Sequence, residues 1–100
     1  MAQYTVRQSR EFAQWLLRLR DEVGAARITR RVEQLALGAI GDVRSVGEGV
    51  RELRIDHGPG YRVYFVQPAE FLIVLLAAGD KDSQQRDIRR AKAMAANLEP

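Results

Sequence analysis

Arg51-Glu52-Leu53-Arg54-Ile55-Asp56-His57-Gly58-Pro59-Gly60-Tyr61-Arg62-Val63-Tyr64-Phe65 is the stretch on which the fold turns. Leu53 and Ile55 alternate with Glu52, Arg54 and Asp56, and beyond His57-Gly58-Pro59-Gly60 the apolar Tyr61, Val63 and Phe65 repeat at the same period of two. That period is a strand signal and the Gly-Pro-Gly segment is a turn signal, so the stretch reads as a β-hairpin. Pairing that keeps both apolar sets on the core side puts Leu53 opposite Val63 and Arg54 opposite Arg62, because a one-residue slip would bury the charges. Like charges directly opposed cost about 0.2 to 1 kcal/mol. Either a carboxylate on that same face, Glu52 or Asp56, neutralises the pair, or the face is kept electropositive for an anionic ligand. The plain alternative is a solvated, salt-bridged outer face; the sharper one is a phosphate site.

Outward from the hairpin, period two also marks Val43 to Val46 and Phe71 to Ala78, with glycines at 47 and 49 and Pro68-Ala69-Glu70 as turns. Short connections predict an antiparallel meander. Phe71 to Leu76 is apolar on both faces, which predicts a buried, central strand. Before the meander, Gln3 to Arg7 reads as a first strand and Ser9 as a helix cap. Phe12, Trp15, Leu16 and Leu19 form one helical stripe, ended by Gly24; Ala25, Ile28, Val32 and Leu35 form a second, ended by Gly38. Ser83 to Leu98 is a last helix with a thin, alanine-rich stripe of Ile88, Ala91, Ala95 and Leu98, expected to be the least firmly held element. The order is β-α-α-β-β-β-β-α: an α+β fold with a curved, mainly antiparallel sheet packed against two N-terminal helices and a short C-terminal one.

One hundred residues with 46% hydrophobic content fit one domain over residues 1–100 and exclude a two-domain enzyme. Without cysteine there is no disulfide, thiolate metal site or cysteine nucleophile. No apolar run approaches the roughly 20 residues of a membrane span, so no membrane partner and a cytoplasmic location are expected. The net charge of +3 is modest, but every cation except Lys81 and Lys92 is arginine, the side chain that grips phosphate bidentately. A GC-rich genome is the bland source of that bias.

Gly79-Asp80-Lys81-Asp82-Ser83-Gln84-Gln85-Arg86 follows the buried strand. Its Lys, Asp, Ser and Gln side chains suit a nucleotide, and Asp82 or Ser83 suits a helix cap; both readings are compatible. His57 is the sole histidine, which disfavours a histidine-based metal site or serine triad, and its place beside Gly58-Pro59-Gly60 suits a turn residue. No glycine-rich phosphate loop followed by Lys-Ser/Thr is present, against nucleoside triphosphate hydrolysis.

The segments Phe12-x-x-Trp15-Leu16, Gly41 to Ile55, Gly58 to Phe65 and Gly79 to Gln84, in that order, resemble the addiction-module killer proteins, a HigB-like branch of the RelE/ParE toxin superfamily. The resemblance spans almost the whole chain. It implies a RelE-type fold and a type II toxin neutralised by a cognate antitoxin, usually with a helix-turn-helix domain. It further implies mRNA cleavage on the ribosome without metal or other cofactor, by in-line attack of the substrate's 2′-hydroxyl. Arg54 and Arg62 match the basic positions that would clamp the scissile phosphate, and Lys81 the one that would support the leaving oxygen. Arg44, Arg51, Gln84, Gln85 and Arg86 are then candidates for RNA contact.

The chain departs from the family pattern in one respect. RelE-type nucleases often carry a late tyrosine or histidine for proton transfer, and here none follows Phe71. Asp80, Asp82, Glu52, Tyr61 and His57 are the weaker candidates for that work. Two rivals share the fold: a ParE-like inhibitor of DNA gyrase, and a non-catalytic binding module.

Overall fold

The computed structural model describes residues 3–98. The elements are β1 (Thr5–Gln8), α1 (Arg10–Arg18), α2 (Glu22–Ala36), β2 (Val43–Gly47), β3 (Val50–Ile55), β4 (Tyr61–Ala69), β5 (Leu72–Gly79) and α3 (Gln84–Ala96). The five strands form one sheet in the order β1-β5-β4-β3-β2, antiparallel except where β1 pairs in parallel with β5. In the β3-β4 ladder Leu53 lies opposite Val63 and Arg54 opposite Arg62, the register that alternation demands.

One face of the sheet carries Leu53, Ile55, Tyr61, Val63 and Phe65 against Phe12 of α1 and Ile28 and Leu35 of α2, all buried. The opposite face carries Val50, Tyr64, Val66 and Leu76 under Ala91 of α3. The sheet is therefore sandwiched, and β5 is apolar on both faces because both faces are covered. β5 is interior, but the middle strand is β4. Phe71 is a correction to the expected strand: it is 53% exposed, in the turn before Leu72. β4 continues through Pro68 to Ala69, with the ladder to β5 irregular between Val66 and Ala69, so the proline occupies a break in pairing where its missing N–H costs nothing.

Caps set the helix limits. Ser9 Oγ accepts from Phe12 N at 2.9 Å and donates to the Leu76 carbonyl at 2.6 Å, stitching α1 to β5. Gly38, at φ +89°, ends α2; its N–H reaches the Leu35 carbonyl and that of Ala39 reaches Gln34, the paired bonds of a left-handed helix stop. Gly24 does not end the first helix as expected. The chain leaves α1 at Leu19, Asp21 caps α2 by accepting from Gly24 N at 2.9 Å, and Gly24 lies buried inside α2. A Cβ there would come within 2.5 Å of Asp21 Oδ2 and 2.6 Å of Tyr61 Cε2, so glycine is present for close packing and not as a breaker. Asp82 and Ser83 do not cap α3 through their side chains either. Ser83 stands at the cap position with its hydroxyl turned to Asp87, and Asp80 Oδ1 takes the N–H groups of Asp82 and Ser83 at 2.9 and 3.2 Å in the turn before the helix.

Asp21 also latches the helical layer to the sheet. Its Oδ2 accepts from the Tyr61 hydroxyl at 2.7 Å and lies 3.5 Å from His57 Nε2, while Trp15 meets the Tyr61 ring edge-on and His57 stacks on it. The Gly24 N–H first and the Tyr61 hydroxyl second hold the Asp21 carboxyl below its usual range. Burial first, then the hydrogen bond to Asp21, pushes the Tyr61 phenol up to about 12.

On the other face α3 is seated through Asp87, buried at 2% exposure, which accepts from Ser83 Oγ and lies 3.3 Å from Arg90 Nη2. Asp87 abuts the backbone of Gly79, where any Cβ would collide with its carboxylate.

Two outcomes follow from these contacts. Gly79→Ala lifts the first turn of α3 off β5 and destabilises the fold by about 1 to 3 kcal/mol, read as a lowered thermal midpoint. A phenol whose folded pKa is raised contributes stability that is complete below its ordinary value of 10.0 and lost as pH climbs through about 12. Urea midpoints measured across that window therefore fall less steeply in Tyr61→Phe than in the parent.

Candidate active site

Rows of cross-strand partners define the α3-side face of the sheet. Arg44, Glu52, Tyr64 and Ala77 stand in one row and Arg54, Arg62 and Gly79 in the next, since directly paired residues share a face. α3 covers the Tyr64 end of this surface and leaves the Arg54 end open: Tyr64 is fully buried, Arg62 is 5% exposed and Arg54 is half-buried. The expected pairing of Arg54 with Arg62 across the ladder is thus present.

Glu52 is the carboxylate that answers it. It is fully buried, with Oε2 3.7 Å from Arg62 Nε, 3.1 Å from the Tyr64 hydroxyl and 3.0 Å from Gln84 Nε2. Removing one partner of a buried pair like this typically costs about 3 to 5 kcal/mol, because the other charge is left unpaired. Burial, then the neighbouring Glu52 charge, drives the Tyr64 phenol far above its ordinary range, so it remains a proton donor to Glu52. The set is not saturated: Glu52 Oε1 and Arg62 Nε are buried without a hydrogen-bond partner. Asp56, the other carboxylate considered, is exposed and forms no ion pair among the described residues.

Arg62 extends along its own turn, Nη1 donating to the Gly60 carbonyl at 2.8 Å. Gly60 has φ +80°, and a Cβ there would lie 3.3 Å from Arg62 Nη1 and 3.8 Å from Lys81 Cβ. Lys81 is also drawn in by its N–H, 3.4 Å from the Pro59 carbonyl, and its side chain is exposed. The glycine thus lies between the Arg62 guanidinium and the stem of Lys81. A cleft of about 200 Å³ opens here, lined by Arg54, Arg62 and Gly60 with Asp42 and Asp56 at its rim. Arg54 has no ion-pair partner among the described residues. Arg54 and Arg62, with the stem of Lys81 near by, thus meet the carboxylates of Glu52, Asp42 and Asp56, and the guanidinium groups are suited to binding a phosphodiester and stabilising charge that develops on it.

The remaining candidates divide. Arg44 shares the face of the cleft, and Gln84 reaches it through Glu52; Gln85 and Arg86 are exposed on the first turn of α3. Arg51 is on the opposite face, its guanidinium 5.6 Å over the Phe65 ring. Tyr61 and His57 direct their side chains to Asp21 and Trp15, away from the Arg62 guanidinium, although Tyr61 contributes to the cleft wall. Asp80 is engaged in the turn before α3, and Asp82 is exposed. Tyr64 and Asp87 escaped the reading of the sequence. Alternation puts Tyr64 on the side of Arg62, which was the available signal. Asp87 gave less, because a lone carboxylate in a charged helix looks solvated until Gly79 is seen beneath it.

Among the described residues no group of three His, Cys, Asp or Glu side chains could hold a metal, and no helix is long and apolar enough to cross a membrane. No family model matches the chain. A double mutant of the E. coli toxin RelE in its free state superposes with a TM-score of 0.66, covering 90% of this chain and 98% of that one at 8% identity, so the fold is RelE-like. An uncharacterized protein of Haemophilus influenzae is 44% identical over 87 residues, 87% of this chain and 88% of its own length. The chain belongs to the same family as that Haemophilus protein, built on a RelE-like α+β fold.

Proposed function

We propose that this protein is a HigB-like toxin of a type II toxin-antitoxin system, a single cytoplasmic domain that cleaves mRNA on the ribosome until a cognate antitoxin, of helix-turn-helix type, covers it. The observation that carries the reading is the cleft itself: Arg54 opposed to Arg62, Arg62 braced by a buried glutamate, and Lys81 beside them across Gly60. The likeness of fold to a toxin, RelE, supports it.

In this reaction the 2′-oxygen attacks the adjacent phosphorus, its proton leaves to a base, and the bond to the 5′-oxygen breaks. The products are a 2′,3′-cyclic phosphate and a 5′-hydroxyl. Arg54 and Arg62 hold the non-bridging oxygens and offset the extra negative charge of the pentacovalent state, where oriented donors are worth most. Lys81, flexible and exposed, supports the departing 5′-oxygen. Glu52 and Tyr64 position Arg62 from beneath. No metal or other cofactor takes part.

Arg54→Ala is the informative variant, because Arg54 is half-exposed and unpaired among the described residues, so its loss strands no buried charge. It retains the parental circular dichroism spectrum and loses about 10²- to 10³-fold in mRNA cleavage. Arg62→Lys keeps the charge but not the forked geometry, and also falls in activity. Induction of the parent causes rapid mRNA loss and growth arrest. A DNA-damage response with intact mRNA would instead identify a gyrase inhibitor, and normal growth with folded protein a binding module.

A further inference from the structure

A second groove, of about 380 Å³, runs beside the cleft between α2 and β3, and the two share Asp42, Arg54, Ile55 and Asp56. Its outer wall is a cluster of arginines on α2: Arg27, Arg30 and Arg31. Spacings of three and four residues put these like charges on one helical face, an arrangement that weakens a helix unless something offsets it. Arg31 is held in place, donating to Gln34 Oε1 at 3.0 Å and to the Ile40 carbonyl at 2.9 Å. Arg27 and Arg30 are exposed, and neither has an ion-pair partner among the described residues.

The inner wall has different chemistry. Asp42 and Asp56 supply acceptors and Ile55 an apolar floor. A groove of cations on one side and carboxylate acceptors on the other does not suit a uniformly acidic ligand, since a carboxylate-rich peptide would meet both aspartates. A nucleotide suits it: its phosphate faces the arginines, and its ribose 2′-hydroxyl or exocyclic amine donates to an aspartate. The volume is at the lower end of the roughly 300 to 1,000 Å³ usual for small-molecule sites, enough for one nucleotide unit.

From this we infer that the α2-β3 groove is a second nucleotide subsite, contiguous with the Arg54/Arg62 cleft, in which Arg27 and Arg30 bind RNA phosphates flanking the scissile one. The inference rests on the proposed RNA-cleaving function and adds a direction: the strand leaves the cleft past Arg54 and continues along α2. Arg27 and Arg30 are binding residues remote from the reacting atoms, so they govern affinity for longer RNA and leave the bond-breaking step alone.

The test is fluorescence anisotropy with two single-stranded RNA probes, a hexanucleotide and a dinucleotide, each 2′-deoxy at the cleavable position. The proteins are the full chain and its Arg27→Ala/Arg30→Ala and Arg27→Lys/Arg30→Lys forms, each checked for parental circular dichroism. The parent is expected to bind the hexanucleotide more tightly than the dinucleotide. The alanine form loses about tenfold on the hexanucleotide, with a salt slope smaller by about 1.4, and is unchanged on the dinucleotide, whereas the lysine form recovers most of the loss. Equal hexanucleotide binding by parent and alanine form overturns the subsite while leaving the proposed function intact. The same holds if the alanine form loses only its hold on a co-purifying protein, which would make the groove a protein contact. A parent that binds neither probe, free or in ribosome-bound mRNA, overturns both.

Discussion

The pairing register of β3 with β4 is the constraint from which the rest descends. Leu53, Ile55, Val63 and Phe65 can all reach the helical layer only in a register not slipped by one residue, and in the one adopted, with Leu53 facing Val63, Arg54 is set against Arg62 on the reverse side. Core packing and cationic site are two sides of one decision. Hydrophobic burial across the hairpin is several times larger than the repulsion between one pair of guanidinium groups, so the sheet tolerates an unfavourable contact that a ligand anion can relieve.

Tolerance is made easier by Glu52. Its carboxylate sits beneath Arg62, shared with a tyrosine from β4 and a glutamine from α3, so strands and helix converge on a single negative charge. Because that charge is fully buried, it fixes Arg62 in orientation without neutralising Arg54, which remains turned toward solvent. α3 is consequently more than a cover. Gln84 reaches Glu52 at one end and Lys92 lies 3.5 Å from Glu48 of the β2-β3 turn further along, so a helix with little apolar surface is tied down by polar contacts.

Much of this was legible in the residues. Period-two alternation delivered the strands and their register, the stripes of Phe12 and Ile28 delivered the helical layer, and the opposition of Arg54 and Arg62 followed from both. What could not be read were effects that depend on distant segments meeting. Gly24 looks like a helix breaker until Tyr61, from the start of β4 far along the chain, is found packed on it. Phe71 looks like strand core until β4 is seen to run on through Pro68 and shift the turn. Glu52 looks like a solvated partner for Arg62, whereas coverage by α3 makes it a buried one. Ser83 looks like a side-chain cap until its hydroxyl is found turned to Asp87, the carboxylate buried against Gly79.

The parallel pairing of β1 with β5 carries a consequence for biosynthesis. Ser9 is bonded to the Leu76 carbonyl across 67 positions of sequence, and among the described residues β1 has no strand neighbour besides β5. A nascent chain must therefore hold its amino-terminal segment unpaired until the fifth strand has been synthesised, and high-separation contacts of this kind form late and slowly. The cationic cleft, which needs Gly79, Lys81 and Gln84 in place, is completed only when the chain has cleared the ribosomal exit tunnel as far as Gln84.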